Sequence, residues 1–390
     1  MKDLNYTIIP YKNKLIELSN LESGKIIYKD YYLDLKTNQK VYKSYTHWLV
    51  TLEDKINTFY ISTRVIHLYY ELGHLFEKSN IEIPTNVILA IDLNYKNFSD
   101  FKIQNPREVN LIEIYQPDFS EYKKKFENGY QELLAGNCYQ FNLTDKFVFR
   151  FSSNLRAKDF IAKLWSKRSQ RGAFGSATYI ASLNKLLLSN SPECLFQLQE
   201  DELFTMPIKG TKKINNDQDI DEIKLKWEEL INDKKCESEL FMIADLMRND
   251  LSRIDLPRSL VVSKKELLKV PQLIHQYSKI KVKLRSQVTI RQIIEKIFPG
   301  GSITGAPKKR VMEILSNLEN RHREFYCGST LIFHQEMKAA SINIRSADID
   351  FNQQQLTYQS GGGITLKSNV HDEYQEMSYK VKSFIDLLTP

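Results

Sequence analysis

The chain has 390 residues, 42% of them hydrophobic, which is enough apolar side chain for one large or two fused cores. Its net charge of +7 is the small difference between 55 basic and 48 acidic residues spread along the chain, which argues against nucleic-acid binding. Its apolar runs fall short of the roughly 18 residues of a membrane span, and no signal-peptide core is visible at the N-terminus, so a cytoplasmic protein is expected. The four cysteines, Cys138, Cys194, Cys236 and Cys327, lie far apart without a CxxC pair and read as reduced thiols, neither a disulfide framework nor a structural zinc site.

In chain order, Lys25–Leu35 and Thr58–Ile66 are rich in Tyr, Ile and Thr and are predicted strands, while Val65–Ser79 has helical spacing. The pattern changes near Pro117. That change divides a strand-rich region 1–116 from a region 117–390 that carries the chemically suggestive segments. An amphipathic helix is predicted from Ser120 to Ala135, stopped by Gly136 and Asn137 and followed by the strand-like run YQFNLTDKFVFRF. Further strands are predicted at Leu186–Ser189, Met337–Ala347 and Gln355–Ser360, with helices over 239–248 and from Pro307 onward. Strands and helices mixed without a βαβ rhythm predict an α+β fold with mainly antiparallel pairing.

Several segments are candidates for chemistry, each with a plainer alternative. The glycine-rich run FPGGSITGAPK (298–308) opens a helix at Pro307, where exposed amides suit an anion, and equally fits an ordinary turn. It is not a phosphate loop, since Ala306 stands where that motif needs lysine. Gly361, Gly362 and Gly363 permit close backbone approach to a ligand, or form a tight turn or bulge. Glu237, Glu239 and Asp245, and likewise Glu373 and Glu376, have the spacing of one helical face, which suits a metal or a solvated surface. Lys209 lies between Pro207 and Gly210; Arg345 sits amid apolar strand residues and needs an anionic partner; His275 fits a core or a site.

Six blocks in order resemble the chorismate-using enzymes of the anthranilate synthase component I superfamily, over about Ser120 to Asp386. They are AGNCYQFNLT (135–144), SPE (191–193), MPIKGT (206–211), ESELFMIADLMRNDLSRI (237–254), FPGGSITGAPKKRVMEI (298–314), and INIRSADI followed by GGGI and EYQEM. The resemblance implies an α+β sandwich of mainly antiparallel sheets packed together, with outer helices. Lysine in MPIKGT, where anthranilate synthases carry alanine, is similar to the aminodeoxychorismate synthase branch. This implies that chorismate is aminated at carbon 4 by ammonia, toward p-aminobenzoate and folate. Anthranilate, isochorismate or salicylate synthesis, or a non-catalytic regulatory subunit, are the alternatives.

Carried over residue by residue, the resemblance makes Lys209 the nucleophile at ring carbon 2, Glu193 the general acid for the departing hydroxyl, and His275 a group near that hydroxyl. Glu239 and Glu376 match the ligands of Mg²⁺. Thr304, Arg345, Lys380 and the amides of Gly361, Gly362 and Gly363 match the substrate-binding groups. No Cys-His-Glu glutaminase portion is visible and the sequence ends at Pro390 without an appended lyase, so a separate glutamine amidotransferase and a separate lyase are expected. No counterpart of the family's tryptophan-binding motif is visible in 1–116, and no tryptophan feedback is expected. The chain departs from the family at Cys236, where anthranilate synthases have glutamate, and around Arg171–Thr178. It departs again at Leu331 and Ile332, which replace a Gly-Tyr pair expected near the substrate.

Overall fold

The computed structural model describes residues 4–389 except 57, 59, 217, 255–258, 271 and 272, and except the side chains of 235, 270 and 273. Strand pairing is antiparallel throughout. From Gln140–Arg150 it passes through Gln355–Ile364, Ser346–Asp350, Lys185–Ser189, Ser176–Ile180 and Tyr6–Tyr11 to the long strand Lys14–Ile27. It continues through Ala90–Asp100, Thr63–Leu68, Ser329–His334, Met337–Ser341, Cys194–Gln199 and Glu202–Thr205 to Leu273–Lys283. The last strand is flanked by Ile208–Lys213 and Leu260–Val270.

The two halves of this ribbon pack face to face, and Ile9, Leu18, Val65, Leu93, Leu187 and Ile332 form the apolar layer between them. Helices cover the outer faces. Phe119–Leu134, Ala157–Leu164 and Val370–Leu388 cover one half, and Lys234–Ser252 and Ile290–Ile297 the other. Helix Lys308–Glu319 serves both cores, with Val311 and Leu315 in one and Met312 in the other. In the last helix Met377, Val381, Phe384 and Leu388 are buried at spacings of three and four, the stripe that makes a helix pack. None of the described helices is long and apolar enough to cross a membrane, and the cysteines are free.

Local chemistry explains the element boundaries. The side chain of Asp118 accepts the Ser120 amide and caps the Phe119–Leu134 helix, and Gly136 at φ +73° ends it. The helical spacing over 65–79 is overridden: Thr63–Leu68 is a fully buried strand paired on both sides, and only Leu72–Phe76 is helical. Of Lys25–Leu35, residues to Ile27 and Tyr32–Asp34 are strands joined by a turn. The run Met337–Ala347 is two strands, Met337–Ser341 and Ser346–Asp350, broken where Arg345 takes φ +49°.

One buried group ties several stretches of chain together. Arg323 is 1% exposed, and its guanidinium donates to Glu319 at 2.7 and 2.9 Å, to the Ile303 carbonyl at 2.9 Å and to the Asn142 carbonyl at 2.6 Å. Burial alone would raise the Glu319 carboxyl, but Arg323 and Arg321 hold it below the usual range, and it also accepts from the amide and hydroxyl of Thr144. Replacing Arg323 by methionine leaves the buried Glu319 carboxylate with only Arg321, at 3.9 Å, as a cationic partner. The variant is expected to lose roughly 3–5 kcal/mol of stability in urea unfolding, more than a lost surface pair would account for.

Candidate active site

The glycine-rich run 298–308 is built into the core. Gly301–Ile303 forms one tight helical turn, and Gly305–Ala306 pairs with Phe141–Gln140. A Cβ on Gly305, at φ +141°, would lie 2.1 Å from the Gln140 carbonyl oxygen, so glycine is required there. Gly300 through Gly305 are buried, not exposed, and Pro307 precedes the helix as its cap instead of opening its first turn, which corrects the sequence expectation on both points. Thr304 is fully buried and donates its hydroxyl to the Gly300 carbonyl at 3.0 Å.

Gly361, Gly362 and Gly363 form neither a turn nor a bulge. They continue the Gln355–Ile364 strand, opposite Thr144, Leu143 and Asn142. The absent side chains let neighbours close in. A Cβ on Gly361 would lie 2.1 Å from the Leu143 carbonyl oxygen, one on Gly362 2.9 Å from Glu373 Oε2, and one on Gly363 2.6 Å from Gln140 Nε2. Lys380 reaches the same strand from the last helix, donating to the Gly361 carbonyl at 2.8 Å and pairing with Glu376 at 2.7 Å.

Lys209 stands on Ile208–Lys213, directly opposite Gln276, and a bulge follows at Gly210, which has φ +83°. Its charge is felt at Glu193. This glutamate is buried, and its Oε1 has no hydrogen-bond partner among the described residues. Burial raises the Glu193 carboxyl to about 7, with Ser302 and Lys209 holding back part of the rise. His275 lies on the neighbouring strand, buried, its Nδ1 2.8 Å from the Thr211 hydroxyl. Burial first, and the charge of Arg345 second, lower it to about 4, so the imidazole is neutral at pH 7.

Arg345 occupies the left-handed break between its two strands, and its charge reaches Tyr358 as well as His275. The structure thus brings Lys209 to Glu193, Arg345 to His275, and Lys380 and Glu376 to the glycine strand. Glu239 projects from helix Lys234–Ser252, half-buried, and among the described residues no hydrogen bond or ion pair joins it to that set.

The sequence reading missed Gln140, Asn142, Ser302 and Gln276, and did not favour Glu373. Gln140 Oε1, Asn142 Oδ1 and both amide atoms of Gln276 are buried without hydrogen-bond partners among the described residues, and the Ser302 side chain faces Glu193. Asn142 Nδ2 donates to the Ser302 carbonyl at 2.9 Å, linking the glycine strand to the Glu193 side. A signal was present: Gln140 and Asn142 alternate along a strand whose neighbours are apolar, so two polar residues share one inner face. Leu331 and Ile332 are buried in opposite apolar layers.

The family model described as chorismate binding enzyme matches residues 54–386. Aminodeoxychorismate synthase component 1 of Salmonella typhimurium is 36% identical over 301 residues, covering 75% of this chain and 63% of that protein. The Klebsiella aerogenes protein of the same name is 33% identical over 353 residues, covering 82% of this chain and 75% of that protein. The chain therefore spans less than two thirds of some of these relatives and three quarters of others. Among solved structures, anthranilate synthase component I from Streptococcus pneumoniae TIGR4 superposes with a TM-score of 0.77 at 19% identity, covering 95% of this chain and 91% of that one. The menaquinone-specific isochorismate synthase of Escherichia coli superposes with a TM-score of 0.72 at 16% identity, covering 100% and 90%. At such identities the likeness establishes the α+β sandwich; with the family match over 54–386, it follows that the chain belongs to the chorismate binding enzyme family.

Proposed function

We propose that the chain aminates chorismate at ring carbon 4 with ammonia, giving 4-amino-4-deoxychorismate, by way of a covalent adduct on Lys209. The observation that supports this most is the pairing of Lys209, held at a glycine bulge, with a buried carboxyl that remains largely protonated up to about pH 7. The neutral Lys209 amine adds to carbon 2 while the carbon 4 hydroxyl leaves with a proton from Glu193. Ammonia then adds at carbon 4, the carbon 2–nitrogen bond breaks, and Lys209 is regenerated. Two allylic displacements replace one difficult step.

The remaining residues bind and orient. Arg345 and Lys380 face the substrate carboxylates, and neutral His275 stands by the departing oxygen. Buried Thr304 and the glycine strand shape the pocket wall. Carboxylates on two helices, Glu239 on one and Glu373 and Glu376 on the other, offer the oxygen donors that Mg²⁺ prefers, and Glu373 Oε2 already lies against Gly362. Mg²⁺ bound there would neutralise and orient a substrate carboxylate. Ammonia comes from a separate glutamine amidotransferase in this reading, in keeping with the component 1 designation of the relatives. The free cysteines fit a cytoplasmic setting.

Three measurements test the proposal. Lys209→Ala is expected to reduce 4-amination to background with the fold intact, read by mass identification of the product from chorismate, Mg²⁺ and an ammonium salt. Full 4-amination by the variant, with no lysine adduct trapped in the wild type, would refute the covalent route. Glu193 acts as an acid, so its contribution is present below its raised pKa of about 7 and is lost as pH rises through it. The kcat profile should fall on that limb, and Glu193→Gln should remove the limb and lower kcat by about 10²–10⁴-fold. Turnover should also stop in excess chelator, and Glu239→Gln and Glu376→Gln should each remove most of it, since a neutral amide holds a hard cation poorly.

A further inference from the structure

Gln276 is fully buried, and neither Oε1 nor Nε2 has a hydrogen-bond partner among the described residues. A buried amide with both ends unpaired is costly, and a stable fold retains one where a partner arrives with the chemistry. Its surroundings supply none. A Cβ on Gly210 would lie 3.3 Å from Gln276 Nε2, 3.3 Å from the Cys236 Cβ and 2.8 Å from a Leu230 methyl, so that wall is apolar and closed. Lys209, on the same strand as Gly210, is the direct partner of Gln276 in the antiparallel register, and directly opposed residues project from the same face of a sheet; Leu267 stands opposite Gln276 on the other side.

We propose that Gln276 is the positioning residue of Lys209. Its Oε1 accepts an N–H of the neutral amine and so aims the nitrogen lone pair at the substrate. The proposal rests on reading Lys209 as the nucleophile. An amide suits this place better than a carboxylate: a carboxylate acceptor would favour the ammonium form, which has no lone pair to attack with. The titratable groups on the elements packed around Lys209 are Glu193 from the link after Lys185–Ser189, His275 on the neighbouring strand, Glu229 on helix Ile220–Ile231, and Cys236, Glu237 and Glu239 on helix Lys234–Ser252. Glu237 is paired with Lys265 at 2.8 Å and Glu229 with Lys226 at 2.8 Å, and the charge of Lys209 acts on the Glu193 carboxyl.

The test uses the full chain with Gln276→Leu and Gln276→Glu. Two readouts are taken: steady-state kinetics with chorismate and ammonium, and the rate at which an anhydride acylates Lys209 at pH 8 without substrate, followed by peptide mass spectrometry. Gln276→Leu removes an unpaired amide, so its Tm should hold or rise while kcat falls about tenfold and KM for chorismate stays within about twofold. Gln276→Glu should slow acylation of Lys209 about tenfold, because the new carboxylate retains the lysine proton. An unchanged acylation rate in Gln276→Glu overturns the proposal. So does a Gln276→Leu variant with lowered Tm and unchanged kcat, the mark of a merely structural amide; this arm decides the matter if the glutamate variant does not fold. Amination by the wild type without a Lys209 adduct would instead refute the nucleophile reading, and the acylation arm would still show whether Gln276 faces the amine.

Discussion

The Arg323 guanidinium is the fixed point from which the catalytic half is built. A guanidinium stays charged at any pH a protein survives, and once buried it must spend its planar set of donors on nearby acceptors. Here those acceptors come from three separate stretches of chain: the carbonyl of Ile303 in the glycine-rich run, the carbonyl of Asn142 on its strand, and the carboxylate of Glu319 on the following helix. Glu319 in turn takes the Thr144 amide, and the Arg323 amide donates to Glu71. A single charge therefore sets the spacing between the buried run and the strand that carries Gln140 and Asn142. The link from Asn142 to the Ser302 carbonyl passes that spacing on toward Glu193.

Within that frame, glycines decide which side chains meet. Cross-strand neighbours ordinarily hold one another apart by their Cβ atoms, and the strand at 361–363 gives up that separation three times in succession. Gln140, Asn142 and Glu373 occupy the space so released. The conformational cost of three adjacent glycines in a strand is borne by the ladder to 142–144, which continues to Arg150 on apolar residues such as Phe147 and Phe149.

Much of this was legible in the sequence where local chemistry and tertiary packing agree. The helix at Phe119–Leu134, its cap and stop, and the following strand could be read directly, and the ordered blocks point to Lys209, Glu193, His275 and Arg345 as candidates. The failures have identifiable causes. Residues 65–68 show no strand alternation because a strand buried on both faces carries apolar residues on each, here Val65, Ile66 and Leu68, so periodicity carries no information there. Arg345 reads as strand because nothing in INIRSADI betrays a left-handed residue. Consecutive glycines suggest a turn, and only the pairing partner reveals a strand. Gln276 was passed over because a lone polar residue beside a histidine looks incidental until its burial is known.

The electrostatics of the site follow from one property, its dryness. Desolvation disfavours whichever form is charged, so it pushes an acid up and a base down, and the same burial that raises Glu193 to about 7 lowers His275 to about 4. Near neutrality the imidazole is uncharged and the carboxyl is poised at its midpoint, which leaves Arg345, a permanent cation, as the group beside His275 that an anion meets. An incoming dicarboxylate would add negative charge and raise the proton affinity of both groups. In the proposed reaction that change would serve Glu193, which would hold its proton until the leaving oxygen takes it. For His275, starting well below neutrality, a comparable rise still leaves the ring neutral, with Arg345 opposing it. Burial thus raises the acid toward neutrality while burial and one fixed cation keep the imidazole uncharged, so the two groups titrate in separate ranges.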